Sequence, residues 1–342
     1  MNSSKPFFSR LAFALLASLV LLAGTAGAAL PEGAAIQAAV DRAYRDYKNL
    51  EEGANADYIP ALAKVDPRVY GIALVTTDGK AYTAGDLDTQ VSIQSISKVF
   101  TMARVMDQSG VQSIYDNMGV DATGQVFNSI EAIEQYQGFE MNAMVNPGAI
   151  TATSMLRGKE YDEIWNGLLG YYDEFAGRKL TVLEEVYQSE AATNQRNQAL
   201  AMLMFAYGHI EGDPLQATDI YTRQCSVGVN ARDLANMAAT LANAGRNPVT
   251  GKQVTQAENV PEILPVMATA GLYDDSGKWL YKTGLPAKSG VGGGMIAVSP
   301  GKFGIAVISP PLDAAGNSVR AQKAIADISN ALGGNPYSVP SR

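Results

Sequence analysis

The sequence predicts an α/β (α+β) protein: an antiparallel sheet built from both chain ends, with flanking helices and an inserted all-helical domain. Three observations carry this. "YGIALVTTDGKAYTAGD", Tyr70–Asp86, is a strand, an Asp-Gly turn and a second strand. "GGMIAVSPGKFGIAVISPP", near the other end, repeats the pattern around Ser-Pro-Gly. Between them, residues 95 to about 270 carry mostly helical periodicity, and strands at both ends with helices between imply one layer formed by the termini.

In chain order, Lys5 and Arg10 precede an uncharged apolar run, Leu11–Ala23, and a small-x-small cleavage signal, Ala26-Gly27-Ala28. Residues 1–28 therefore read as an export signal, too short to span a membrane comfortably, which predicts a periplasmic protein with no membrane anchor after cleavage near Ala28. Ile36, Val40, Tyr44 and Tyr47 recur at helical spacing over 32–49, and "EEGANAD" ends that helix. After the first hairpin a helix is expected from about Gln94 to Met106, with Val99, Phe100, Ala103 and Met106 available for burial. "NSVRAQKAIADISNAL" closes the chain as a capped helix with Ile325, Ile328 and Leu332 on one face. The expected division is 1–28 signal, 29–110 with 271–342 as the α/β domain, and 111–270 as the helical domain.

Composition narrows the chemistry. Removing Lys5 and Arg10 with the signal takes the net charge from −8 to −10, and an acidic chain without a basic tract is a poor partner for nucleic acid. Cys225 is the single cysteine, so no intrachain disulfide can form. His209 is the single histidine; it weakens every histidine-ligated metal site and reads as a helix-end residue. Cys225 reads as a buried small hydrophobe. Nucleophilic chemistry here would need a base other than histidine.

"SIQSISKVF", Ser92–Phe100, offers one. On a helix, positions three apart are neighbours and adjacent positions diverge, so Ser95 shares a face with Lys98 while Ser97 points away. An N-terminal turn would leave free N–H groups beside Ser95 for a developing oxyanion. A lysine in an apolar site has a depressed pKa and can act as a base. Ser-x-x-Lys alone is common, and its support is "KTGLPAKSGVGGG", residues 282–294, where Lys288-Ser289-Gly290 and the glycines let backbone approach a ligand. That pairing occurs in serine penicillin-recognising enzymes, although no Ser-Asp-Asn element is evident.

"DYIPALA", "QSISKV", "MVNPGAI", "SEAATNQRN", "YTRQCSV", "GLYDDSG", "GLPAKSGVGGG" and "SPPLDAAGNS" follow one another between Asp57 and Ser318. In this ordered set the chain resembles the serine-dependent glutaminases, which have a β-lactamase/penicillin-binding-protein-like fold and hydrolyse L-glutamine to L-glutamate and ammonia. The resemblance implies Ser95 as nucleophile, Lys98 as its base, Tyr273 as a proton donor and acceptor, and Tyr58 as a second pocket tyrosine. It implies an oxyanion hole from the N–H groups of Ser95 and Val291. It also implies that Gln94, Ser95, Asn146, Glu190, Asn197, Tyr221, Tyr273 and Val291 hold the substrate, with neither metal nor organic cofactor and with a homodimer or homotetramer. The chemistry is coherent: Glu190 can pair with an α-ammonium, and Asn and Tyr side chains can donate to an α-carboxylate. The spacing of seven from Glu190 to Asn197 predicts one helix face for both. Two rivals stay open at this level: a penicillin-recognising hydrolase on the same fold, and a non-catalytic amino-acid-binding protein.

Overall fold

The computed structural model describes residues 30–338, so the expected export signal lies outside the described residues. The apolar runs "GIALVT", "GMIAVS" and "FGIAVI" form β1 (Gly71–Thr76), β6 (Gly294–Ser299) and β7 (Phe303–Ile308), with every residue buried. Uninterrupted apolar runs are what strands covered on both faces require. With β2 (Ala81–Gly85) and β5 (Ala287–Ser289) they make a five-stranded antiparallel sheet ordered β2-β1-β7-β6-β5. β1 pairs with β7 from Gly71↔Ile308 to Thr76↔Phe303, so the two chain ends are joined at the centre of the sheet, as expected.

Helices Gly33–Tyr47 and Val319–Leu332 cover one face. Ile36, Val40, Ala321, Ile325, Ile328 and Leu332 bury against Leu74, Phe303 and Ile305. Ser318 caps the last helix by accepting from Ala321 N–H, and Gly333 ends it in a left-handed conformation. The opposite face is covered by Ala231–Ala242, whose Leu234, Ala235, Ala238 and Ala239 share a core with Ala73, Val75, Ile296 and Ala306. This helix lies within 111–270 by sequence but is a layer of the sheet by packing. Among the described residues no helix is long and apolar enough to cross a membrane.

A short ladder between β3 (Val91–Ser92) and β4 (Gly228–Val229), continued by Ile93 N–H to Val227 O at 2.8 Å, anchors the chain just before Gln94. The helix expected over Gln94–Met106 is split: a 3₁₀ turn, Gln94–Ile96, precedes an α-helix, Ser97–Ser109. Gln94 has φ +49°, which α-helical backbone does not allow, and Ser97 Oγ donates to Gln94 O at 2.6 Å to close the junction.

Candidate active site

Ser95, Gln94, Asn146, Glu190, Asn197, Tyr221, Tyr273, Val291 and Tyr58 all line one cavity of about 120 Å³, at the seam between the sheet and the helical part. A larger cavity of about 540 Å³ lies at the hairpin tips around Thr76, Asp78 and Lys302, and holds none of these residues. The convergence of polar side chains, not volume, marks the site.

Ser95 is 7% exposed on the 3₁₀ turn, and Lys98 is 1% exposed one turn later. Ser95 N–H sits too early in the turn to have an acceptor from a preceding one. Lys98 Nζ donates to Asn146 Oδ1 at 2.7 Å and to Met144 O at 3.2 Å, and not to Ser95 Oγ. Burial holds this amine down at about 7, with Cys225 and Glu190 opposing the drop. A neutral amine has two N–H bonds and one lone pair. The two acceptors can take the N–H bonds of the neutral amine and leave its lone pair uncommitted.

Asn146 is oriented by three partners. Its Oδ1 also accepts from Tyr221 O–H at 3.1 Å, which obliges its Nδ2 to donate, here to Asn197 Oδ1 at 3.0 Å. Asn197 Nδ2 donates to no described residue. Glu190 is 7% exposed; its Oε2 accepts from Gln94 Nε2 at 3.2 Å and its Oε1 has no hydrogen-bond partner among the described residues. Burial raises its carboxyl to about 7, against the Gln94 hydrogen bond and Lys98. Glu190 and Asn197 stand on separate helices, Glu184–Ala191 and Gln195–Ala206, not on one face of a single helix. Asn194 breaks the chain between them; its Nδ2 donates to Thr222 Oγ1 and its Oδ1 accepts from Gln198 Nε2.

Tyr273 has φ +54°, a second non-glycine residue of the site in the left-handed region, of the kind that costs about 1–3 kcal/mol. Its O–H donates to Ser289 O at 3.2 Å. Burial pushes its phenol up to about 12, with the Ser95 hydroxyl opposing the rise. Tyr58 is 56% exposed at the mouth. The Val291 N–H makes no hydrogen bond to a described residue, and the loop that carries it reaches Ser95 because of glycine. A Cβ at Gly292 would stand 2.3 Å from Ser92 O, and one at Gly290 2.7 Å from Ile93 O.

The residues set aside stay aside. His209 nitrogens face Asn117 O at 2.7 Å and Gln137 O at 3.1 Å, away from Ser95. Cys225 is buried, with its thiol raised to about 12 by that burial. Residues missed include Phe127, Asn128, Asn194 and Arg196 in the lining, where Arg196 Nη2 donates to Asn128 O at 2.8 Å. Lys288, expected only as part of a segment whose backbone approaches a ligand, is fully buried with Nζ 4.4 Å from the Tyr273 ring centroid. Phe127 and Asn128 lie in an aperiodic loop, so no pattern could have found them.

An antiparallel sheet covered by helices on both faces, with Ser-x-x-Lys at its junction with a helical body, is the β-lactamase-like fold. The family model described as Glutaminase matches residues 53–337. The chain is 54% identical over 307 residues to a glutaminase of Colwellia psychrerythraea, covering 90% of this chain and 99% of that one. It is 46% identical over 302 residues to glutaminase 1 of Escherichia coli, covering 88% and 97%. The solved structure of a probable glutaminase, YbaS, superposes with a TM-score of 0.89 at 45% identity, covering 90% of this chain and all of that one. That of Mglu in its glutamate form gives 0.84 at 34% identity, covering 90% and 71%. The chain belongs to the glutaminase family.

Proposed function

We propose that this glutaminase hydrolyses the side-chain amide of L-glutamine through a Ser95-bound acyl-enzyme. The observation that carries the reading is Lys98: buried, held at about 7, and hydrogen-bonded so that only its lone pair is uncommitted. Lys98 takes the Ser95 proton as Oγ attacks the carboxamide carbon, and the Ser95 and Val291 N–H groups hold the oxyanion. Ammonia leaves after protonation through Tyr273 or Lys98, and water then hydrolyses the ester. Glu190 Oε1 takes the α-ammonium, while Asn197, Tyr221 and Gln94 fix the amino-acid head, so analogues lacking either charged group leave buried polar atoms unpaired. The glutamate form of the Mglu relative fits a pocket of this kind.

The reading extends to export of the chain to the periplasm, supported by Lys5, Arg10 and the Leu11–Ala23 run, and to a homodimer or homotetramer, as the family resemblance implies. Ser95→Ala is the direct test. Ammonia release from L-glutamine should vanish while circular dichroism is unchanged, and substantial residual turnover would sink the assignment.

A further inference from the structure

The Ser95 pocket ends on two aromatic rings that belong equally to another cavity. Phe127 and Tyr273 stand 5.0 Å apart between centroids, at 46°. Among the described residues they alone line both the pocket and a second cavity of about 320 Å³. That cavity is lined by exposed Gly124, Thr269, Asp274 and Gly277, so it opens to solvent, and by buried Val145, while the half-buried rings of Phe127 and Tyr273 are the lining it shares with the pocket. The Phe127–Tyr273 pair therefore stands between the pocket that holds Ser95 and a solvent-connected space that Tyr58 does not line.

The acyl-enzyme reading makes a demand that this second space meets. Once the Ser95 Oγ–carbon bond has formed and the carbon–nitrogen bond has broken, the glutamyl group still fills the pocket. Ammonia must leave and one water must enter, forming the new carbon–oxygen bond and returning a proton to Ser95, before the glutamyl group can go. Both travellers have a single heavy atom. We propose that the cavity behind Phe127 and Tyr273 is a second passage, letting ammonia out and water in while the glutamyl group occupies the main pocket. Tyr273, whose hydroxyl reaches the Ser95 side and whose ring walls the second cavity, is the side chain that would shift. The exposed carboxylate of Asp274 lines the outer cavity, where it suits a departing ammonium.

The passage can be plugged without touching the site. A Cβ at Gly277 would meet nothing within 4 Å, so Gly277→Trp places a ring in open space, and Thr269→Trp fills the cavity from the facing helix, with Gly277→Ala as control. The full-length protein is given glutamine and hydroxylamine, which competes with water for an acyl-enzyme and yields γ-glutamyl hydroxamate. Both tryptophan variants should lower the hydroxamate-to-glutamate ratio several-fold at unchanged KM, because the bulkier nucleophile is excluded first, while Gly277→Ala matches wild type. An unchanged ratio in either folded plug variant, with hydroxamate formed by wild type, overturns the passage and leaves the acyl-enzyme standing. Absence of hydroxamate from wild type removes the acyl-enzyme reading, and the passage with it.

Discussion

In the proposed mechanism Lys98 is the base, and keeping its amine buried carries a cost in stability that can be measured. An amine that ordinarily titrates at 10.5 is held at about 7 by burial. At ~1.4 kcal/mol per pH unit this corresponds to about 5 kcal/mol of lost stability once the pH is at or below 7. The sign follows from proton counting. Between 7 and 10.5 the unfolded lysine carries a proton that the folded one lacks, so stability rises with pH across that window and is flat below it. Lys98→Met keeps the volume and removes the buried amine. It also leaves Met144 O without its donor, at about 1–3 kcal/mol, while Asn146 Oδ1 keeps Tyr221. The variant should therefore be more stable than wild type by about 2–4 kcal/mol at pH 6, and should lose that advantage as the pH approaches 10. Lys288, depressed by burial and by Lys98, would titrate closer to its ordinary value in the variant. Equilibrium urea unfolding followed by the fluorescence of Trp165 and Trp279 at several pH values is the assay. A variant less stable than wild type at pH 6, or a difference independent of pH, would refute the reasoning. Turnover should be lost throughout.

Four further outcomes are expected. The proposed mechanism requires Lys98 and Glu190 both to lose protons near pH 7, so log kcat/KM should fall on the acid side with a slope approaching about two; Glu190→Gln should reduce this to about one. The same substitution removes the ammonium's charged partner and should lower kcat/KM by roughly 10–100-fold above pH 8; an unchanged acid limb contradicts the assignment. Gly292→Ala forces a methyl within 2.3 Å of Ser92 O, displaces the Val291 N–H, and should cost about 10²–10³ in kcat with a folded protein; near-normal kcat would exclude this N–H from the oxyanion hole. Cys225, with its thiol at about 12, should resist iodoacetamide at pH 8 until urea unfolds the chain, which mass spectrometry reads directly; rapid native labelling would show the buried position to be wrong.

What the sequence determined by itself is what short-range patterns encode. Two turn-punctuated apolar runs specified two hairpins, helical periodicity specified the amphipathic first and last helices, and a spacing of three singled out Ser95 with Lys98. Ordered blocks then placed Glu190, Asn146, Tyr221 and Tyr273 in one family-like set. Tertiary structure decided the rest, because it depends on contacts between residues far apart in the chain. Gln94 adopts a left-handed backbone just after the β3–β4 ladder and accepts from Ser97 Oγ, and the expected helix start is a 3₁₀ turn there. A spacing of seven could not reveal that Asn194, tied to Thr222, breaks the helix between Glu190 and Asn197. The state of Lys98 was equally out of reach: it follows from complete burial, and its remaining lone pair from acceptors on Met144 and Asn146 nearly fifty residues away.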